Sequence, residues 1–281
     1  MGDVLAGFHA AWEFESDSVL IRYERGIRTP KLFQALGERR VPLAALESVT
    51  LTPGKRGTVV LRAVPRPGAD PLWEAADGQL KEGGDPYRLV LPAERETLAE
   101  YYADELRGVL TASGPTERFL VEAPRTPRAF KAYDAKASFD GSVVRFRWSW
   151  TGASSAKWKA GDQSFAVDAL SGVEWRSPEI FEGHLRLIRR DDDGAAPPTP
   201  DQDPAAVVFG LGYGPVHESL PFAAAVLAAV REARPVVAVP AARRDPADIA
   251  ERIRHLGELH QAGLVTDEEF SVKKAELLAQ L

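Results

Sequence analysis

The apolar and polar positions of this chain follow an order that is written twice. Trp12-Glu13-Phe14-Glu15 alternates, and Ser18-Val19-Leu20-Ile21-Arg22-Tyr23 continues as a β-rich run after the turn residues Glu15-Ser16-Asp17. The stretch from Phe8 therefore predicts a hairpin. Gly26–Gly37 fits neither period, and Thr29-Pro30 forces an extended or turn entrance to Lys31. Val41-Pro42-Leu43 starts a strand, because proline is tolerated at a strand's first residues. Ala44-Ala45-Leu46 is a short turn, Glu47–Thr52 alternates again, and Pro53-Gly54 breaks the run before Thr58–Val64. Pro65–Pro86 reads as one long loop, and Tyr87–Leu91 as a last strand. Leu98, Tyr102, Leu106, Val109 and Leu110 then recur at the spacing of one helical face behind Pro92, with Glu94 and Glu96 suited to the helix's positive end.

The second writing starts at Phe139–Phe146, which matches Phe14–Tyr23 in a shorter form. Its strongest portion is Gly161–Trp175, which echoes Gly37–Leu51 at a constant offset of 124 without a gap. Glycine, apolar, apolar, alanine, leucine, valine and apolar recur in step at 37, 41, 43, 45, 46, 49 and 51. Gly183–Arg189 answers Gly57–Ala63, and Asp203-Pro204 introduces Ala205–Phe209 as Asp85-Pro86 introduces Tyr87–Leu91. Leu220–Glu232 supplies the closing helix. The order implies tandem duplication: residues 1–118 and 119–235, a linker at 236–244 and a tail at 245–281.

The tail carries dense local signals. Asp245 caps a helix with Pro246 at its first position, and Ile249, Ile253, Leu256, Leu259 and His260 share a face. Gly263 stands at the helix end, Thr266-Asp267-Glu268-Glu269 is a capping box, and Val265 with Phe270 forms a hydrophobic staple. Phe270, Leu277, Leu278 and Leu281 complete a helical hairpin. A hairpin this small buries too little to fold alone without a disulfide or metal. Its apolar residues are therefore expected to mediate homo-oligomerisation or docking on a protein partner.

Composition narrows the chemistry. The chain has no cysteine, which excludes disulfides, thiolate nucleophiles and cysteine-ligated metals. Net charge is −6, spread as −3, −1 and −2 over residues 1–118, 119–235 and 236–281. No segment carries the basic footprint of a nucleic-acid binder. The first residues show no basic and apolar leader, and the longest apolar run, Leu220–Val230, is too short to span a bilayer. A cytoplasmic location is expected.

Leu256–Phe270, followed by Lys273-Lys274-Ala275-Glu276-Leu277-Leu278, resembles a short C-terminal domain (SHOCT) module. The tandem copies resemble a bacterial domain-of-unknown-function family with a pleckstrin-homology-like (PH-like) look. The resemblance implies an α+β fold: two tandem PH-like antiparallel β-barrel or sandwich domains, each closed by a C-terminal helix. It implies no established enzymatic activity.

Several features invite chemistry and have plainer readings. Gly210-Leu211-Gly212-Tyr213-Gly214 has Pro215 where a dinucleotide fingerprint needs its third glycine, so a flexible turn is preferred. The five histidines lack ligand spacing, and Asp191-Asp192-Asp193 lacks the alternation of a calcium loop, so no metal or cofactor is expected. Arg22, Arg25, Arg28, Lys31, Arg39 and Arg40 form the densest basic run, suited to phosphate contacts but interrupted by Glu24 and Glu38. Trp148, Trp150 and Trp158 interleave with Arg147, Lys157 and Lys159, which is either an aromatic–basic surface or core packing.

The sequence therefore favours a non-enzymatic interaction or scaffold protein, with no nucleic acid among its partners. The alternative is a ligand- or anionic-lipid-binding, membrane-associated protein using Arg22, Arg25, Arg28, Arg39, Arg40, Trp148, Trp150 and Trp158.

Overall fold

The computed structural model describes residues 3–192 and 196–233 and, in the C-terminal segment, 254, 256–257, 266–267, 270–271 and 273–274. By its contacts the chain divides into two compact units, Met1–Ala233 and Arg234–Leu281.

In the first unit the first copy runs β1 (Asp3–Ala6), β2 (Ala10–Phe14), β3 (Ser18–Tyr23), α1 (Lys31–Leu36), β4 (Glu38–Pro42), β5 (Leu46–Pro53), β6 (Thr58–Pro65), α2 (Pro71–Ala76), β7 (Arg88–Pro92) and α3 (Glu96–Val109). The second copy runs β8 (Arg128–Lys131), β9 (Ala135–Phe139), β10 (Val143–Trp148), α4 (Ser155–Ala160), β11 (Gln163–Ala166), β12 (Leu170–Arg176), β13 (His184–Arg189), β14 (Ala206–Val208) and α5 (Val216–Glu232). Each copy builds an antiparallel four-stranded sheet, in order β1-β2-β3-β4 and β11-β10-β9-β8. Each adds a three-stranded sheet, β5-β6-β7 and β12-β13-β14. The fold is thus α+β with antiparallel sheets. The expected barrel is corrected: among the described residues no sheet closes on itself, because a 3₁₀ turn at Leu43–Ala45 or Val167–Ala169 ends one sheet before the next begins. The two sheets of each copy are linked by a backbone bond, from the Phe8 amide to the Val90 carbonyl (2.7 Å) in the first copy and from the Tyr133 amide to the Val208 carbonyl (3.0 Å) in the second.

The echo in the sequence is an echo in space. Both α1 and α4, and both 3₁₀ turns, are offset by the same 124 positions. Gly37 and Gly161 end the two short helices at φ 69° and 70°, where a β-carbon is strained. A second device repeats as well. Arg62 Nε donates to Asp85 Oδ2 (3.0 Å), and Arg186 Nε to Asp203 Oδ2 (2.9 Å). The other oxygen of each aspartate accepts the amide two residues on, Tyr87 and Ala205. Each Asp-Pro pair therefore clamps the strand it introduces to its neighbour.

One helix falls where the sequence reading placed loop, and another where it left the segment unassigned. α2 lies inside Pro65–Pro86, capped by Asp70, whose carboxylate accepts from the Leu72 amide (2.9 Å), with Pro71 at the first position. α1 occupies the segment that fitted neither period, entered through an extended Pro30 as Thr29-Pro30 requires. The inward face of α3 is also rotated from its expectation. Ala99, Ala103 and Leu106 are buried, whereas Leu98 and Val109 are exposed, because small side chains let the helix lie close on the β5-β6-β7 sheet. Tyr102 instead stacks on Phe14, ring centroids 4.3 Å apart.

One continuous core runs through both copies, from Trp12 and Tyr87 to Phe139, Phe146 and Phe222. Helix α5 joins them. It packs against α1 and α2 of the first copy as well as β12 of its own. Apolar nearly all round, it is buried on most of its surface, as such a helix must be. Arg231 at its end donates to the Gly68 carbonyl and to Glu74 (both 2.9 Å). The Gln79 side chain adds a strand-like pair of bonds to the second copy, donating to the Trp175 carbonyl and accepting from the Ser177 amide (both 2.9 Å).

In the second unit, residues 254, 256–257, 267, 270–271 and 273–274 are helical, and the Phe270 amide donates to the Thr266 carbonyl (2.9 Å). The rest of the expected hairpin and the linker at 236–244 lie outside the described residues.

Candidate anion-binding cleft

The basic run of the first copy faces a second basic segment that sequence reading passed over. After α3 the chain crosses to the second copy as a connector. Its Thr116 amide bonds the Pro67 carbonyl (2.8 Å), and its Leu120 and Val121 amides bond the Ala69 carbonyl (2.8 and 3.0 Å). That pins the connector beside Asp70 and brings Arg125 and Arg128 up to β3 and β4. Between them lies a cleft of about 600 Å³ lined by Arg22, Arg25, Arg39, Arg40, Arg125 and Arg128, with Glu38 and Glu122 as its carboxylates. Leu20, Leu36, Val121 and Pro124 supply an apolar floor and rim.

The six guanidinium groups are in different states. Arg22 pairs with Glu13 and lies 3.9 Å from Glu38, and Arg40 pairs with Glu15 and donates to Ser18 Oγ (3.1 Å). Arg39, read from sequence as part of a surface, is 6% exposed. This corrects the expectation, and the cause is a buried partner: its Nη2 donates to Asp70 Oδ1 at 2.7 Å, while Tyr87 Oη donates to the other Asp70 oxygen. Burial pushes the Arg39 guanidinium down, but Asp70 and Tyr87 outweigh it and hold it above its ordinary value. Burial also raises Tyr87 and Tyr23 well above the ordinary phenol range, so both stay protonated donors. Tyr23 donates to the Pro86 carbonyl (2.9 Å).

Arg25, Arg125 and Arg128 form no ion pair among the described residues. The Nε atoms of Arg39 and Arg128 are buried without a hydrogen-bond partner, and burial lowers the Arg128 guanidinium from its ordinary value. Buried donors are nearly always satisfied.

The remaining expected residues divide. Arg28 is exposed and lies outside the cleft lining. Trp148 is buried rather than on a surface, its Nε1 donating to the Gly161 carbonyl (2.6 Å) because it closes the end of β10 over α4. Trp150 is 85% exposed and meets Trp158 edge-on at 5.4 Å, apart from the cleft. Lys157, between them in sequence, points inward and is fully buried. It donates to Asp134 Oδ2 (2.5 Å) and to the carbonyls of Pro200 (2.7 Å) and Ala206 (2.9 Å). Of the tail residues, Leu256 and Phe270 are part-buried, whereas Ile249, Ile253, Leu259, Leu277, Leu278 and Leu281 lie outside the described residues. No helix among the described residues is long and apolar enough to cross a membrane.

The missed residues had a signal. Pro124-Arg125-Thr126-Pro127-Arg128 places one arginine directly after each of two prolines, a stiff, extended presentation. Counting charge over a whole copy hid it.

Comparison with known families bears out the domain-of-unknown-function resemblance of the repeats and the short C-terminal domain resemblance of the tail. The model of a short C-terminal domain matches residues 251–278. No curated protein matches the chain. The model of a domain of unknown function (DUF4429) matches twice, at residues 12–107 and 137–227, one match in each copy. With two such copies making up most of its length, the chain belongs to the DUF4429 family.

Proposed function

We propose that this protein is a non-catalytic binding protein: the tandem body captures an anionic group in the arginine cleft, and the C-terminal module assembles copies of the chain. The observation that carries the reading is the set of three unpaired guanidiniums around a cleft of about 600 Å³. Arginine forks bind carboxylate and phosphate oxygens through charge-assisted hydrogen bonds. Such bonds gain most where the donors are already desolvated. The order of four-stranded sheet, three-stranded sheet and closing helix supports reading each copy as PH-like.

Isothermal titration of the full chain with inorganic phosphate, pyrophosphate, sulfate and succinate at low ionic strength tests the reading. Saturable binding that weakens with salt and is lost in Arg125→Gln/Arg128→Gln supports it. Heat signals no larger than dilution for every anion remove it.

The match to a short C-terminal domain supports the assembly half of the proposal. Linked copies of a weak site gain avidity without any new contact. An unchanged mass by light scattering after deletion of residues 244–281 would remove that half and leave the cleft untouched.

A further inference from the structure

Resting on the anion-binding reading, we propose that the cleft takes a phosphomonoester-type dianion, bridged between Arg25 of the first copy and Arg125 and Arg128 of the connector. Charge comes first. Arg39 is neutralised by Asp70, and Arg22 and Arg40 by Glu13 and Glu15. Of the lining carboxylates, Glu38 shares Arg22 with Glu13 and Glu122 is unpaired, so neither is neutralised. Three free guanidiniums against these two carboxylates leave a surplus of one positive charge, whose attraction grows with the charge of the anion.

The chemistry of the acceptor discriminates further. A carboxylate presents two oxygens in one plane, and the cleft wall already holds such groups, Arg22 with Glu13 and Arg40 with Glu15. Glu122 lies in the same lining, yet neither Arg125 nor Arg128 takes it. Arginines on two opposed walls suit an acceptor with three oxygens pointing in different directions. A phosphoryl group is such an acceptor. Its seat between β3–β4 and the connector ties the start of β8 to the first copy, so the ligand reinforces the joint between the two copies.

The test uses the full chain with three probes: glycerol phosphate as a free phosphomonoester, succinate as a dicarboxylate of equal charge, and vesicles of phosphatidylcholine with or without phosphatidic acid. Glycerol phosphate is expected to bind more tightly as pH rises through its second ionisation, near about 6, as the dianion forms. Arg125→Gln/Arg128→Gln is expected to weaken it at least about tenfold. The exposed Arg56→Gln, in the turn between β5 and β6, serves as the control and is expected to leave it unchanged. Binding to phosphatidic acid vesicles but not to glycerol phosphate, with the same arginine dependence, keeps the phosphomonoester and assigns it to a lipid headgroup. Succinate binding as tightly as glycerol phosphate, without the pH step, overturns this inference and leaves the anion-binding reading standing. Failure of all probes and of the anion panel overturns both.

Discussion

Lys157→Met is a severe test of the second copy, because the structure buries a charged side chain in a segment whose sequence left surface and core packing open. Lys157 is 0% exposed and Asp134 nearly so, and the ammonium has three acceptors within 2.5–2.9 Å. Methionine matches the volume and leaves the Asp134 carboxylate buried without a cation. It also leaves the Pro200 and Ala206 carbonyls without their donor. Breaking a buried pair by removing one partner costs about 3–5 kcal/mol. Burial already raises Asp134 above the usual carboxylate range, so protonation of the orphaned acid limits the loss to about 3–4 kcal/mol. That is a large fraction of the roughly 5–15 kcal/mol that holds a domain folded.

Asp134→Asn removes the charge and keeps the oxygen that accepts from the Val208 amide (2.9 Å). Combined with Lys157→Met it leaves no buried charge, and the double variant is expected to recover about 1–3 kcal/mol relative to the sum of the singles. Urea unfolding followed by tryptophan fluorescence measures all four proteins, with midpoints compared at unchanged slope. A loss below about 1 kcal/mol for Lys157→Met, or strict additivity of the two changes, would refute the buried pair.

Gly161→Ala is expected to destabilise the second copy by about 1–3 kcal/mol, since φ of 70° with an extended ψ is a glycine conformation; thermal unfolding reads it, and an unchanged midpoint counts against the turn geometry. Asp140 accepts from Arg145 and from the Ser142 and Val143 amides, the Arg145 bond first, which holds its carboxyl well below the usual range. A depressed folded value contributes stability above the unfolded value, near about 3.9, and that contribution disappears as pH falls through the folded one. Asp140→Asn is therefore expected to be less stable than wild type at neutral pH, with the gap closing on acidification; a gap constant across that range would contradict the assignment.

What was legible in the sequence was whatever depends on neighbours along the chain. The gapless echo of Gly37–Leu51 at Gly161–Trp175 became matched helix ends, 3₁₀ turns and strands, and the Asp-Pro pairs became matched clamps. Asp70-Pro71 carries the same cap-and-proline signal that marks the tail at Asp245-Pro246, and α2 was hidden only by the glycines and prolines around it. Partners far apart in sequence were not legible. Lys157 finds Asp134 at a distance of 23 positions, and Arg39 finds Asp70 at 31, so a basic run that looks solvated contains a buried ion pair. The cleft escaped for the same reason: its second wall arrives on a connector nearly a hundred residues after its first, and only folding sets Arg125 and Arg128 against Arg25.

The most direct measurement is the thermal midpoint of the full chain against rising inorganic phosphate at low ionic strength, for wild type and for Arg125→Gln/Arg128→Gln. A ligand that binds only the folded state raises the midpoint with concentration. The cleft requires a saturating rise in wild type and a flat response in the variant. Parallel rises in both proteins, or no rise in either, would contradict it.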